Sequence, residues 1–208
     1  ADEPMTVILS NKGWIRAGKG HDIDVTNLSY KSGDGYKAHV YTKSNEQVTF
    51  LDSNGRSYSL PVQNLPSVRG YGDPLTASLT PESGAEFTTV LAGSDSQKLL
   101  LVASSGYGFV IKIAELYCKN RKGKGIINLS QGAKLLPALM LPANQELQDL
   151  SLALLSSDYR LLIIDGDTIP EMAKGKGKKL FGISTQAFVN KESELISSIW
   201  LPKKAQLV

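Results

Sequence analysis

Two short windows carry most of the concentrated charge in this sequence. "KNRKGK" (119–124) holds four cations and "KGKGKK" (174–179) holds four more, with no acid in either. Apolar residues follow closely, in "GIINL" and "LFGI". Clustered Lys and Arg make a local positive field, and interleaved glycines let backbone N–H groups approach an oxyanion closely. The chemistry offered is anion contact. Eight of the 23 Lys and Arg lie in these twelve residues, which leaves 15 cations against 20 acids elsewhere, while the whole chain is +3. A mildly acidic body thus carries basic loops.

Other chemistries lack their residues. Two histidines, His21 and His39, and one cysteine, Cys118, cannot assemble a zinc ligand set at ordinary spacing. No G-x-S-x-G elbow occurs. "IDGDT" (164–168) has acids around a glycine without the further ligands of a calcium loop, and reads as a turn. "GWIRAGKG" (13–20) fits G-x-x-x-x-G-K but ends in Gly20, so the hydroxyl that would hold Mg²⁺ is missing, and no helix pattern follows. No catalytic residue, metal site or cofactor is expected.

Composition sets the frame around those loops. Hydrophobic residues at 41% and charged residues at 21% over 208 positions suit a globular chain with a sizeable core. Apolar runs such as "YRLLII" reach about five residues, against the ~20 of a membrane helix, so no membrane span is expected. Ala1–Glu3 is acidic, unlike a signal peptide. A start at Ala1 suggests a processed or excised chain. The single cysteine fits a reducing compartment, and the expected location is the cytoplasm.

The elements that must position the loops repeat along the chain. Gly18-Lys19-Gly20, Gly70-Tyr71-Gly72, Gly123-Lys124-Gly125 and Gly175-Lys176-Gly177 have first glycines separated by 52, 53 and 52 residues. Upstream of each lies an apolar run, a tight turn and a second apolar run, as in "TVILSNKGWIRA", "VTFLDSNGRSYSL" and "LLLVASSGYGFVIKI". Turn glycines Gly13, Gly55 and Gly106 read as hairpins. In "LALLSSDYRLLII", Asp158-Tyr159 replaces the glycine and the turn signal is weaker. Connectors such as Ile113 to Tyr117 read as single turns, and Trp14, Tyr107 and Trp200 as packing residues.

A period near 50 in strand-rich sequence indicates an all-β, propeller-like array of about four ~52-residue blades. The blades are expected at 5–46, 47–97, 98–146 and 147–205, within a single domain over 1–208. "KKAQLV" (203–208) falls where a fifth hairpin would begin, near Ala205; either the chain is cut there or that strand closes the ring. The first unit is irregular, and "YKSGDGYK" (30–37) competes with 18–20 as its loop.

Duplex DNA presents about one negative charge per 1.7 Å, which rim cations can track. The expected DNA-binding residues are Arg16 and Lys19 in the first unit and Arg69 in the second. The third adds Lys119, Arg121, Lys122 and Lys124, and the fourth Lys174, Lys176, Lys178 and Lys179. Contacts to phosphate read backbone rather than bases, so binding is expected to be largely independent of sequence.

Per-blade basic glycine boxes on such units resemble the C-terminal domain of bacterial type IIA topoisomerase A subunits, from DNA gyrase and topoisomerase IV. "PMTVILSNKGWIRAGKGHDID", "SNGRSYSL", "LPSVRGYGDPLT", "SDSQKLLLVASSGYGFV", "KNRKGKGIINL" and "AKGKGKKL" carry the likeness, which is strongest to the topoisomerase IV form. The resemblance implies a β-pinwheel, often open, whose blades exchange strands and whose rim binds and bends DNA. It implies partners: the N-terminal catalytic part of the same polypeptide, the ATPase subunit of topoisomerase IV, and in some relatives an SMC-type chromosome-organising protein. It places the catalytic tyrosine outside this chain, leaving no strand-cleaving activity here. The gyrase box, seven residues rich in Gln, Arg and Gly, is not reproduced; "NRKGKG" (120–125) comes nearest. The resemblance therefore implies bending and substrate selection in decatenation and supercoil relaxation, without tight wrapping. The alternative is a propeller that docks proteins, its basic loops serving as solvated edges.

Overall fold

The computed structural model describes residues 2–203. In chain order its strands are β1 (Pro4–Ser10), β2 (Trp14–Lys19), β3 (Tyr36–Lys43), β4 (Gln47–Asp52), β5 (Arg56–Pro61), β6 (Asp73–Pro74), β7 (Phe87–Leu91), β8 (Lys98–Val102), β9 (Tyr107–Lys112), β10 (Lys124–Gly125), β11 (Leu139–Met140), β12 (Leu150–Ser156), β13 (Leu161–Asp165), β14 (Lys178–Lys179) and β15 (Leu195–Pro202). One five-residue helix, α1 (Thr185–Val189), interrupts them. The chain is all-β, built from four small blade-like sheets. Contacts divide it into two compact units: the chain up to Asp52 with Arg56–Ser94 and Leu116–Lys124, and Ser53–Gly55 with Asp95–Glu115 and Gly125 onward.

In the first unit the sheets run β3-β1-β2-β6 and β10-β5-β4-β7. Alternation along β1 and β2 sends Val7, Leu9, Ile15 and Ala17 to one face, where they pack with Val48, Phe50 and Tyr58 of the next sheet. Ile8 and Arg16, paired across the strands, face the other way. That second face is covered by residues 20–35. Ile23 and Val68 crowd the backbone at Gly18, Val25 is buried, and Tyr30 lies beneath the Arg16 guanidinium at 4.7 Å. Here is the physical reason for the first unit's irregular spacing: its extra residues are a cover for the first sheet.

The second unit holds the sheets β11-β8-β9-β14 and β13-β12-β15. Leu100, Val102 and Val110 of the former pack with Leu152, Leu154 and Ile169. A 3₁₀ turn at Ile113–Leu116 follows β9.

One device closes three of the four hairpins. Ser10 Oγ, Asp52 Oδ1 and Ser156 Oγ each accept the backbone N–H four residues on, from Trp14 (3.0 Å), Arg56 (3.0 Å) and Arg160 (3.1 Å). The fourth hairpin forms despite lacking glycine, with Tyr159 in the left-handed region at φ 63. Asp158 holds that turn by accepting from Ser193 Oγ (2.7 Å) and Arg160 Nε (2.9 Å). The Tyr159 side chain is left out in solvent, 91% exposed.

The consecutive strands of the sheets lie at 4–43, 47–91, 98–140 and 150–202. The Gly-basic segments of the second, third and fourth repeats do not complete the sheet of the repeat that carries them. Each supplies a two-residue edge strand to the preceding sheet: β6 pairs with β2, β10 joins β5, and β14 pairs with β9. The expected fifth hairpin near Ala205 lies outside the described residues.

Candidate nucleic-acid interface

Each exchanged segment turns on one glycine pressed against the strand it joins. Gly72, Gly123 and Gly177 have φ between 76 and 83. A Cβ on Gly72 would run into the carbonyl of Ile15, and one on Gly177 into that of Gly108. On Gly123 it would lie 2.6 Å from Tyr58 Cε1. The structurally equivalent glycines are therefore 72, 123 and 177, rather than 70, 123 and 175. Gly18 and Lys19 close β2 and Gly20 is the bend that follows, so "GKG" at 18–20 is not a member of this set.

The loop at 119–124 is clamped from beneath. Arg56 donates from Nε to the Lys122 carbonyl and from Nη2 to the Gly123 carbonyl, both at 2.9 Å. Arg121 is exposed, and its guanidinium donates to the carbonyls of Ser78 (2.8 Å) and Ala77 (3.2 Å). Asn120 closes the loop by accepting from the backbone N–H of Lys122 and of Gly123. Beneath Gly123, Tyr58 donates to Asp52 Oδ2 at 2.6 Å. Burial first, and then this bond to a carboxylate, push the Tyr58 hydroxyl's pKa well above the usual tyrosine range. Lys119 and Lys122 are exposed, and Lys124 is half-buried in β10.

The loop at 174–179 is more open. Lys174, Lys176, Lys178 and Lys179 are all exposed. Lys176 Nζ sits 4.2 Å over the Tyr107 ring, and Lys178 Nζ reaches the Thr168 carbonyl at 3.2 Å. The Gly175 carbonyl accepts from Asn128 N–H at 2.8 Å, tying the loop to the residues after β10.

The cations of the first two repeats behave differently. Arg16 is only 3% exposed; Nη1 donates to the Gly70 carbonyl at 2.7 Å and the guanidinium lies over Tyr30. Its charge is spent inside the fold under the 20–35 cover, which corrects the expectation that it faces solvent. Lys19 is exposed and ion-paired with Glu3 at 2.9 Å. Arg69 is exposed on the segment leading to β6.

No family model matches the chain. Over 206 residues it is 44% identical to the A subunit of DNA topoisomerase 4 from Pseudomonas aeruginosa, and over 205 residues 41% identical to its counterpart from Escherichia coli K12. Each match takes in 99% of this chain and 27% of the relative, so the chain spans about a quarter of their length. The solved E. coli ParC C-terminal domain superposes with a TM-score of 0.89 at 41% identity, covering 96% of this chain and 80% of that one. This chain belongs to the ParC C-terminal domain family. A solved DNA gyrase A C-terminal domain, 17% identical with a TM-score of 0.65, shares the fold.

Within this ParC-type domain, Arg56 is the positioning residue that spacing arguments missed. Its one sequence signal is its place directly after a turn glycine, which it shares with Trp14 and Tyr107. Those two rings, expected to be packing residues, each carry a lysine: Lys31 over Trp14 at 3.9 Å and Lys176 over Tyr107. Among the described residues no helix is long and apolar enough to cross a membrane.

Proposed function

We propose that this ParC-type domain binds duplex DNA through its exchanged basic loops and bends it, without catalysing strand passage itself. The observation carrying this reading is the set of exposed lysines on two loops tied to the fold by hydrogen bonds: Lys119 and Lys122 on one, Lys174, Lys176, Lys178 and Lys179 on the other. Pinned backbone and solvent-facing ammonium groups suit a phosphate backbone, whose neutralisation releases counterions and makes binding salt-dependent. Arg69 adds a weaker contact from β6's loop, and Lys124 a partial one. Arg121 acts by holding its loop, and Arg16 makes no contact.

A duplex touching several such loops must follow them, and the elastic cost of curving is met by the summed phosphate contacts. In the cytoplasm the domain then acts with the ATPase subunit of topoisomerase IV and with the N-terminal catalytic part of its own polypeptide, steering substrate choice in decatenation and supercoil relaxation. The docking alternative draws support from a different surface, the exposed face of the β13-β12-β15 sheet with Leu161, Ile163 and Ile199. An SMC-type protein would be a partner of that kind.

Energy transfer between dyes on the ends of a ~40-bp duplex, about a quarter of the persistence length, tests the reading. The ends should approach as the domain saturates the duplex. Binding with an unchanged end-to-end distance would remove bending, and binding insensitive to salt would remove the phosphate contacts.

A further inference from the structure

In the third sheet the ring after the hairpin turn, Tyr107, carries Lys176 of an exchanged basic loop. The equivalent ring of the first sheet is Trp14, and its exchanged strand β6 is Asp73–Pro74, which brings an acid where β14 brings two lysines. The lysine over Trp14 is instead local: Lys31, at 3.9 Å from the ring centre. Lys31 opens the segment 31–37, which is tied to the β1–β2 turn by Asn11 N–H donating to the Gly35 carbonyl at 2.8 Å. Lys12 stands at that same turn, its Nζ 3.2 Å from where Gly33 would carry a Cβ.

Asp34 lies in this segment, but its oxygens are turned onto the loop. They accept from Ser10 Oγ (2.6 Å), Gly35 N–H (2.7 Å) and Lys12 N–H (3.0 Å). Burial alone would raise its pKa; these bonds, with a smaller contribution from the Lys12 charge, outweigh it and hold the carboxyl below the usual range. Lys12 and Lys31 are exposed and make no ion pair among the described residues. A lysine over an indole keeps its charge toward solvent while its position is restrained. Lys19 lies five residues along β2 from Trp14, about 16 Å away, with its charge already matched by Glu3.

We infer that the first blade grips the DNA backbone through Lys31 and Lys12 at the Trp14 turn, and not through Lys19 or Arg16. The inference rests on the duplex-binding reading above. The 31–37 segment stands in for the basic loop that β6 does not supply.

The test compares Lys12→Gln/Lys31→Gln, Lys19→Gln and Lys122→Gln/Lys176→Gln in the 208-residue chain, each titrated with a ~40-bp duplex across about 50–200 mM salt. The first pair should lower the slope of log K against log salt by about 2, and Lys19→Gln should leave it unchanged. A wild-type slope in Lys12→Gln/Lys31→Gln, with a reduced one in Lys122→Gln/Lys176→Gln, would overturn the inference and leave the general reading standing. Wild-type slopes in both pairs would overturn both. In a Trp200→Phe background, duplex should change Trp14 emission, and Lys31→Gln should abolish the change; emission indifferent to saturating duplex also overturns it.

Discussion

Arg56 Nη2 donates to the carbonyl oxygen of Gly123 at 2.9 Å, and the neighbouring Nε takes the Lys122 carbonyl at the same distance. Two carbonyls of the loop are thereby fixed by one half-buried cation. Arg56→Gln should therefore weaken duplex binding about three- to tenfold, roughly 0.7–1.4 kcal/mol, by loosening Lys119 and Lys122. Its salt slope should stay at the wild-type value, because no phosphate contact is lost. Arg56→Lys should not rescue, since an ammonium cannot reproduce the two-pronged donation. A slope reduced by about 1 in Arg56→Gln would instead make Arg56 a direct phosphate ligand.

The Tyr58 ring beneath Gly123 sets a steric prediction. Gly123→Ala places a Cβ 2.6 Å from Tyr58 Cε1 at φ 76. Gly84→Ala has a similar φ of 82 with nothing within 4 Å. Both pay about 1–2 kcal/mol for the left-handed backbone, and Gly123→Ala should lose about 1–3 kcal/mol more to overpacking. Urea midpoints measure the difference; equal midpoints would mean the Tyr58 contact gives way freely.

The fourth hairpin carries an acid-side prediction. The Ser156 hydroxyl first, then Ser193 and Arg160, hold the Asp158 carboxyl down to about 2. A depressed carboxylate contributes stability that is full above the unfolded value, about 3.9, and is lost as pH falls through about 2. Wild type should therefore lose stability between about pH 4 and pH 2, and Asp158→Asn should show a flatter profile there. Thermal midpoints across that range decide it; superimposable slopes would mean the carboxylate does not hold the Tyr159 turn.

Local signals made the hairpins legible. Turn glycines at 13, 55 and 106 and the apolar runs beside them are short-range features, and β1–β2, β4–β5 and β8–β9 follow from them. The β12–β13 turn was weaker in sequence because its support comes from Ser193, which lies 35 residues beyond Asp158. Strand exchange shifted the meaning of the glycine boxes, since β14 completes the sheet of β9 some 70 residues upstream. Spacing shows that a loop recurs, and cannot show which sheet it joins. Arg16 looked available because it precedes Gly18-Lys19-Gly20; it is buried with its guanidinium over Tyr30. Lys31 was hidden for the matching reason, that its partner Trp14 is a contact made through the cover segment.

The salt dependence of duplex binding tests the basic-loop reading most directly. Lys119→Gln, Lys122→Gln, Lys174→Gln and Lys176→Gln combined remove four exposed charges from the two basic loops and leave the Arg56 clamp in place. The slope of log K against log salt should fall by about 3–4, with affinity at about 100 mM salt reduced at least about a hundredfold. A quadruple variant that keeps its fold by circular dichroism and binds duplex with wild-type slope and affinity would contradict it.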